Sequence, residues 1–226
     1  MKKICFVIFI SITLIGQTKD AYLLIQNVEK EFSKINDYQV DVEIFVDVKF
    51  IKVPQMKAKI YFKKPDKFRI KSDGFALLPK QGMNFSPSTI FNFDYSAIYV
   101  REENYDNKKV DVVKVIPTSD TAKVVLTTLW IDSQHKNIVK VESTTKDAGT
   151  FLILLNYENN QFALPSKAEF LFNTGDVRLP NFDPNKMSNE NPKSNTEKME
   201  GKVIIKYFNY KINKGISDSV FEEEKK

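Results

Sequence analysis

The sequence predicts a mainly β protein of the α+β class: one antiparallel sheet with a single apolar face, covered by an N-terminal amphipathic helix and a loop. Three observations predict it. From Tyr38 to Phe50, Val40, Val42, Ile44, Val46, Val48 and Phe50 occupy every second position, with Gln39, Asp41, Glu43, Asp47 and Lys49 between them and Phe45 as the exception. Such alternation gives a strand one dry face and one wet face. The run from Met56 to Phe62 repeats it, with Ala58 and Ile60 against Lys57, Lys59, Tyr61 and Lys63. Beyond them, short strand-like runs recur at close intervals with polar turns between, which is the pattern of an antiparallel meander.

The first two runs read as a hairpin turning through Ile51–Gln55, with Phe50 facing Met56. That register pairs Val48 with Ala58, Val46 with Ile60 and Ile44 with Phe62. On the outer face it sets Asp47 beside Lys59, Glu43 beside Lys63 and Phe45 beside Tyr61. Cross-strand pairs of this kind contribute roughly 0.2–1 kcal/mol each.

In chain order, Met1-Lys2-Lys3 supplies positive charge, and Ile4–Ile15 is nearly all apolar. The run is shorter than the roughly 20 residues of a membrane span. Residues 1–20 therefore read as a secretory signal peptide cleaved between Gly16 and Ala21. Cys5, the only cysteine, precedes most of the apolar run and leaves with it, so the mature chain is expected to lack thiol chemistry. Residues 21–226 form a single domain. Ala21–Ile35 has helical spacing, with Leu24, Ile25, Val28 and Phe32 on one side, and Asn36-Asp37 ends it. Lys63-Lys64-Pro65-Asp66 turns the chain into a short strand over Lys67–Ser72. Gly74–Ser88 is apolar but interrupted by Gly74, Pro79, Gly82 and Pro87, and reads as a greasy loop lying across the open face. Strands follow at Thr89–Arg101, Lys109–Ile116, Ala122–Ile131, Ile138–Thr144, Phe151–Tyr157 and Ser166–Asn173. Asp176–Glu200, rich in Asn, Pro, Ser, Lys and Glu, reads as a flexible insertion before a last strand over Gly201–Ile212.

The composition excludes several kinds of chemistry. His135, the only histidine, falls in a turn, and with no cysteine in the mature chain the usual zinc ligand sets cannot be assembled. No nucleophile elbow, P-loop or dinucleotide fingerprint occurs, and the seven glycines are dispersed. Aromatic residues alternate inward while lysines point outward, which argues against single-stranded nucleic acid. The expectation is a non-enzyme with no catalytic residues, metal or cofactor. The net charge of +5 falls to about +3 without Lys2 and Lys3. One imbalance is local: Lys49–Lys71 carries nine basic residues against Asp66 alone. It reads as a solvated outer face paired with Asp47 and Glu43 across the strand, or else as a patch for an anionic membrane surface or an acidic partner.

Three segments carry a resemblance. Ala58-Lys59-Ile60-Tyr61-Phe62-Lys63-Lys64-Pro65-Asp66-Lys67-Phe68-Arg69, Thr128-Leu129-Trp130-Ile131-Asp132 and Asn213-Lys214-Gly215-Ile216-Ser217-Asp218-Ser219-Val220-Phe221 occur in the order found in the LolA-like periplasmic carriers of outer-membrane lipoproteins. From about Ala21 to Phe221 the chain resembles that family. The resemblance implies an incomplete β-barrel whose concave apolar face, under helices and loops, holds acyl chains. The family's carriers have an arginine directly before the proline that helps hold the lid closed; Lys64 stands there, a point charge instead of a planar fork.

The resulting expectation is a periplasmic, monomeric carrier that binds the acyl chains of a lipoprotein or lipid and moves them toward the outer membrane, between membrane donor and acceptor proteins. Val42, Ile44, Val46, Ile60, Phe62, Phe91, Phe93 and Trp130 are expected to line the cavity. Leu24, Val28, Phe32, Leu77 and Leu78 are expected in the lid, with Lys64 as its latch. The alternative from another class is a membrane-associated sensor or scaffold that uses the same fold to bind a protein partner.

Overall fold

The structure is a computed structural model and describes residues 19–48, 51–72, 93–147, 149–158, 162–173 and 200–222. One helix, α1 (Ala21–Phe32), precedes the strands. Its start is set by Asp20, whose carboxylate accepts from the backbone N–H of Tyr22 at 2.9 Å and Leu23 at 3.3 Å. An N-cap of this kind satisfies donors that the first helical turn leaves without partners. The helix ends three residues earlier than its apolar spacing suggests, at a Ser33–Lys34 turn, yet Ile35 still packs fully buried.

The strands are β1 (Asp37–Val48), β2 (Ile51–Lys52), β3 (Met56–Lys63), β4 (Lys67–Ser72), β5 (Tyr95–Tyr105), β6 (Lys108–Pro117), β7 (Val124–Asp132), β8 (Ile138–Thr145), β9 (Gly149–Asn156), β10 (Lys167–Asn173) and β11 (Glu200–Ile212). Ten of them lie in the order β4-β3-β1-β11-β10-β9-β8-β7-β6-β5, and β2 adds to the far end of β1. Every pairing is antiparallel. β4 and β5 are the two edges and do not pair with each other, so the sheet is not closed. The expected antiparallel, mainly β architecture is therefore observed. β5 and β6 are joined by the tight turn Asp106-Asn107, both at positive φ (49° and 59°), which suits a hairpin whose strands twist to the right.

The register of the opening hairpin differs from the expected one. Ile44 faces Met56, Val42 faces Ala58, Val40 faces Ile60 and Tyr38 faces Phe62. The outer pairs are Glu43 with Lys57 and Asp41 with Lys59. The reason lies in the connection. The chain turns immediately after β1, so that Val48 pairs with Ile51 and Asp47 with Lys52. Between that pair and Ile44–Met56, β1 spends two residues and the returning chain three, Val53-Pro54-Gln55. Proline has no N–H for a ladder, so the extra residue is accommodated there.

Two apolar clusters result. The larger joins α1 to the concave face: Leu24, Ile25, Val28 and Phe32 pack with Val40, Val42, Ile44, Ile60, Phe62, Val113, Leu129, Ile131, Ile153, Phe170 and Ile205, among others. The smaller, Val110, Val112, Trp130 and Val139, lies on the outer face with Tyr105 and Tyr157 against it. The β4 edge is shielded by the 3₁₀ turn Asp218–Phe221: Lys63 and Lys67 pair with Asp218 at 2.6 and 3.1 Å, and Arg69 donates to the Glu222 carbonyl.

Ile44 is fully buried at the centre of this arrangement. Ile44→Ala should cost about 2–5 kcal/mol by urea unfolding, the range for deleting a buried aliphatic group whose site cannot collapse. A loss below about 1 kcal/mol would contradict the packing described.

Candidate functional site

The candidate site is the concave face and the helix that covers it. The alternation of β1 and β3 turns Val42, Ile44, Ile60 and Phe62 inward, each no more than 2% exposed. The helix crosses from one side of the open sheet to the other. Near its C-terminal end Phe32 meets Phe62 of β3 edge-on, with ring centres 5.7 Å apart. At its N-terminal end Tyr22 stacks on Tyr95 of the edge strand β5 at 5.9 Å, and its hydroxyl donates to the Tyr95 carbonyl. A twelve-residue helix is about 18 Å long, and here that length bridges the two sides of the unclosed sheet.

Polar contacts hold both ends. At the C-terminal end the Lys64 ammonium donates to the Ser33 carbonyl at 2.5 Å, and the Lys64 N–H donates to the Asn36 carbonyl. A cation there satisfies an orphan carbonyl and complements the helix dipole. The Asn213 side chain donates to the Lys34 carbonyl and accepts from the Asn36 N–H, while Asp37 accepts from the N–H groups of Lys214 and Gly215. At the N-terminal end Lys19 donates to Glu102 at 2.8 Å and to Asp111 at 2.5 Å. Asp111 has a side chain only 2% exposed and also accepts from the Ser133 hydroxyl. The hydrogen bond to Asp111, with that to Glu102, raises the Lys19 ammonium above the ordinary lysine value.

Among the expected cavity residues, Val42, Ile44, Ile60 and Phe62 are buried together in the concave cluster, and Val46 and Phe93 pack half-buried against it. Phe91 lies outside the described residues, as do Leu77 and Leu78 of the expected lid loop. Leu24, Val28 and Phe32 are brought onto the same face. Trp130 is a correction: it belongs to the outer cluster. Its indole N–H donates to Glu103 at 2.6 Å, and the Lys140 ammonium lies 4.1 Å from its ring centre. That indole hydrogen bond, with Arg101, holds the Glu103 carboxyl below its ordinary value. The neighbours Leu129 and Ile131 are the β7 residues that face inward. Ile25, Tyr38, Val113 and Val115 also belong to the concave cluster; the spacing marks Ile25 and Tyr38, whereas β6 carries valines on both faces and has no alternation to single out Val113 and Val115.

The outer face carries the charges. A cavity of about 200 Å³ opens there, lined by Tyr105, Val139, Leu155, Lys108, Lys167 and Glu169. Among the described residues, four lysines of the basic run meet carboxylates. Lys57 meets Glu43 at 3.4 Å, Lys59 meets Asp41 at 3.3 Å, and Lys63 and Lys67 share Asp218. The partners differ from the expected Asp47–Lys59 and Glu43–Lys63 because the register differs. His135 sits in the β7–β8 turn as expected, its ring 3.0 Å from the Asp132 carboxylate. Among the described residues no group of three or more His, Cys, Asp or Glu is placed to hold a metal ion.

The fold occurs in other proteins. Solved structures share it: a DUF1329 family protein from Desulfovibrio piger (TM-score 0.61, 14% identity, 89% of this chain and 97% of that one); a candidate outer membrane lipoprotein-sorting protein domain from Vibrio parahaemolyticus (0.58, 10%, 89% and 97%); and a LolA superfamily protein from Nitrosomonas europaea (0.57, 13%, 90% and 97%). At these identities the likeness is one of fold. No family model matches the chain, and no curated protein matches it by sequence.

The β7–β8 turn yields a pH prediction. Burial works to raise the Asp132 carboxyl, but the His135 ring and the N–H groups of His135 and Gln134 outweigh it and hold the group below its ordinary value. A depressed folded value gives stability that is present above the unfolded pKa and lost as pH falls through the folded one. Wild-type stability should therefore decline below about pH 4, and Asp132→Asn should flatten part of that decline in a pH series of urea midpoints. An identical acid slope in the variant would remove Asp132 from the account.

Proposed function

We propose that this protein is a non-enzymatic periplasmic carrier that binds the acyl chains of a lipoprotein or lipid on the concave face of its open sheet and moves them toward the outer membrane. The observation that carries the reading is the apolar helix spanning an unclosed sheet whose inner face is aliphatic and aromatic. The fold likeness to proteins described as lipoprotein-sorting or LolA-superfamily supports it. Soluble transit of an acyl chain requires hiding apolar surface worth about 0.8 kcal/mol per CH₂. In the closed arrangement the helix side chains fill the concave face. An acyl chain would take their place, exchanging one apolar contact for another on the sheet side.

In this reading Val42, Ile44, Val46, Ile60, Phe62 and Phe93 contact the chain, joined by Leu129 and Ile131 in place of Trp130. Leu24, Ile25, Val28 and Phe32 are the displaced face of the lid, and Lys64 is its latch. Leader cleavage and a monomeric state belong to the same proposal.

Two measurements test it. Protein isolated from the periplasm should carry lipid by native mass spectrometry and take up a fluorescent acyl probe; failure of both would end the carrier reading. Lys64→Ala removes a hydrogen bond with a net value of about 1 kcal/mol, so probe exchange should quicken roughly fivefold through a shifted lid equilibrium. Circular dichroism should show the sheet unchanged. Unaltered exchange in a folded variant would exclude Lys64 as the latch.

A further inference from the structure

The contacts of Lys19 and Asp20 bear on where the chain is processed. The sequence allows leader cleavage anywhere between Gly16 and Ala21, and a division at residue 20 would discard both residues. The structure uses both. The Asp20 carboxylate caps the first turn of α1 through Tyr22 and Leu23, and its carbonyl accepts from the Leu24 N–H at 3.1 Å. The Lys19 ammonium lies 2.5 Å from Asp111, whose carboxylate is almost completely buried. Removing Lys19 would strip that carboxylate of its counter-ion and leave the neutral hydroxyls of Ser133 and Tyr99 as its side-chain partners among the described residues. A buried charge stripped of its counter-ion is among the more destabilising changes a fold can suffer. Helix α1 would lose its cap and its N-terminal tether together.

We infer that the processing protease cuts the Gly16–Gln17 bond, so that the mature chain begins Gln17-Thr18-Lys19-Asp20. This deepens the carrier reading and rests on residues 1–16 being a leader. Leader peptidases require a small residue immediately before the scissile bond. Between Ile15 and Tyr22 only Gly16 and Ala21 are small in that sense. A cut after Ala21 would delete Lys19, Asp20 and a buried residue of the helix, since Ala21 is 6% exposed. Gly16 is the one choice that sets a small residue directly before the bond and spares every contact. The reaction is hydrolysis: water adds across the Gly16–Gln17 peptide bond, leaving a carboxylate on Gly16 and an α-amine on Gln17.

The test uses the full chain with its own leader, expressed in a Gram-negative host, and reads the N-terminus of the folded product by intact-mass and N-terminal-peptide mass spectrometry. The expected first residue is Gln17, in part as its cyclised, ammonia-lost form. A start at Thr18 or Lys19 overturns the choice of bond. A start at Asp20 or later overturns the inference while leaving the leader intact. A product that keeps Met1 overturns both the inference and the leader, whatever the lipid-binding result. Gly16→Leu should accumulate the uncut precursor; normal processing of that variant also overturns the proposal. A full-length Lys19→Ala, Asp20→Ala double variant should still start at Gln17 but melt roughly 5 °C lower. An unchanged melting temperature would show that the fold does not need the two residues and would overturn the argument.

Discussion

Everything in this structure depends on one constraint: a sheet with an apolar concave face that does not close on itself. Its ten-strand order ends at β4 and β5, and the inner face between them is made of valine, isoleucine, leucine and aromatic side chains. Such a face left in water would be a far larger apolar patch than soluble monomers tolerate. Helix α1 answers that constraint. Five of its apolar side chains are buried, while Gln26, Glu29 and Lys30 remain in water. The polar contacts at its two ends follow from the same requirement, because so short a helix is positioned by what it touches.

Much of the sheet was legible in the sequence because the signal has a period of two. Alternation tells which residues share a face, and Val40, Val42, Ile44, Ile60 and Phe62 all point where it places them. Register is different. An even slip between two strands keeps every apolar residue on the apolar side, so the observed pairing of Ile44 with Met56 and the expected pairing with Phe62 satisfy the same pattern. The charges could not arbitrate either, since Lys59 meets an aspartate and Glu43 meets a lysine in both registers. What decides is Pro54, which takes up one extra residue between β2 and β3, and its effect depends on a turn that the hydrophobic pattern does not encode.

Trp130 shows the second limit. Thr127 to Asp132 are all buried, so this part of β7 has two dry faces. Where both faces are dry, period-two reasoning has no wet side to orient it, and the size of the indole is a poor guide. The residue that could orient it is Lys140, which pairs with Trp130 across β7 and β8. A lysine facing outward at that position places the tryptophan outward as well, with its ring under the ammonium and its N–H satisfied by Glu103. Leu129 and Ile131 then take the concave side by alternation.

The two ends of the helix are held by different kinds of contact, and the difference bears on how the cover can move. At the C-terminal end the chain passes through Ile35 and Asn36 into β1, and the turn that follows β11 wraps this joint. Asn213 and Gly215 adopt positive φ (54° and 80°); the N–H groups of Lys214 and Gly215 donate to the Asp37 carboxylate, and the Asn213 side-chain oxygen accepts from the Asn36 N–H. That joint is tied to the centre of the sheet through β1 and β11, and what can let go there without disturbing the ladder is the Lys64 side-chain hold on the Ser33 carbonyl. Among the described residues the N-terminal end is held by side chains, through Lys19 on its two carboxylates and Tyr22 on Tyr95. Breaking those contacts disturbs no backbone pairing in the sheet. Lifting the whole helix into water would expose Leu24, Ile25, Val28 and Phe32 at about 1.5–3 kcal/mol each, a cost too large for frequent spontaneous release. An apolar occupant that replaces them on the sheet removes the sheet's share of that cost and leaves only the helix's own. In the proposed carrier, the cover would stay shut in water until both holds yield, the Lys64 latch on Ser33 and the side-chain contacts at the end nearest β5.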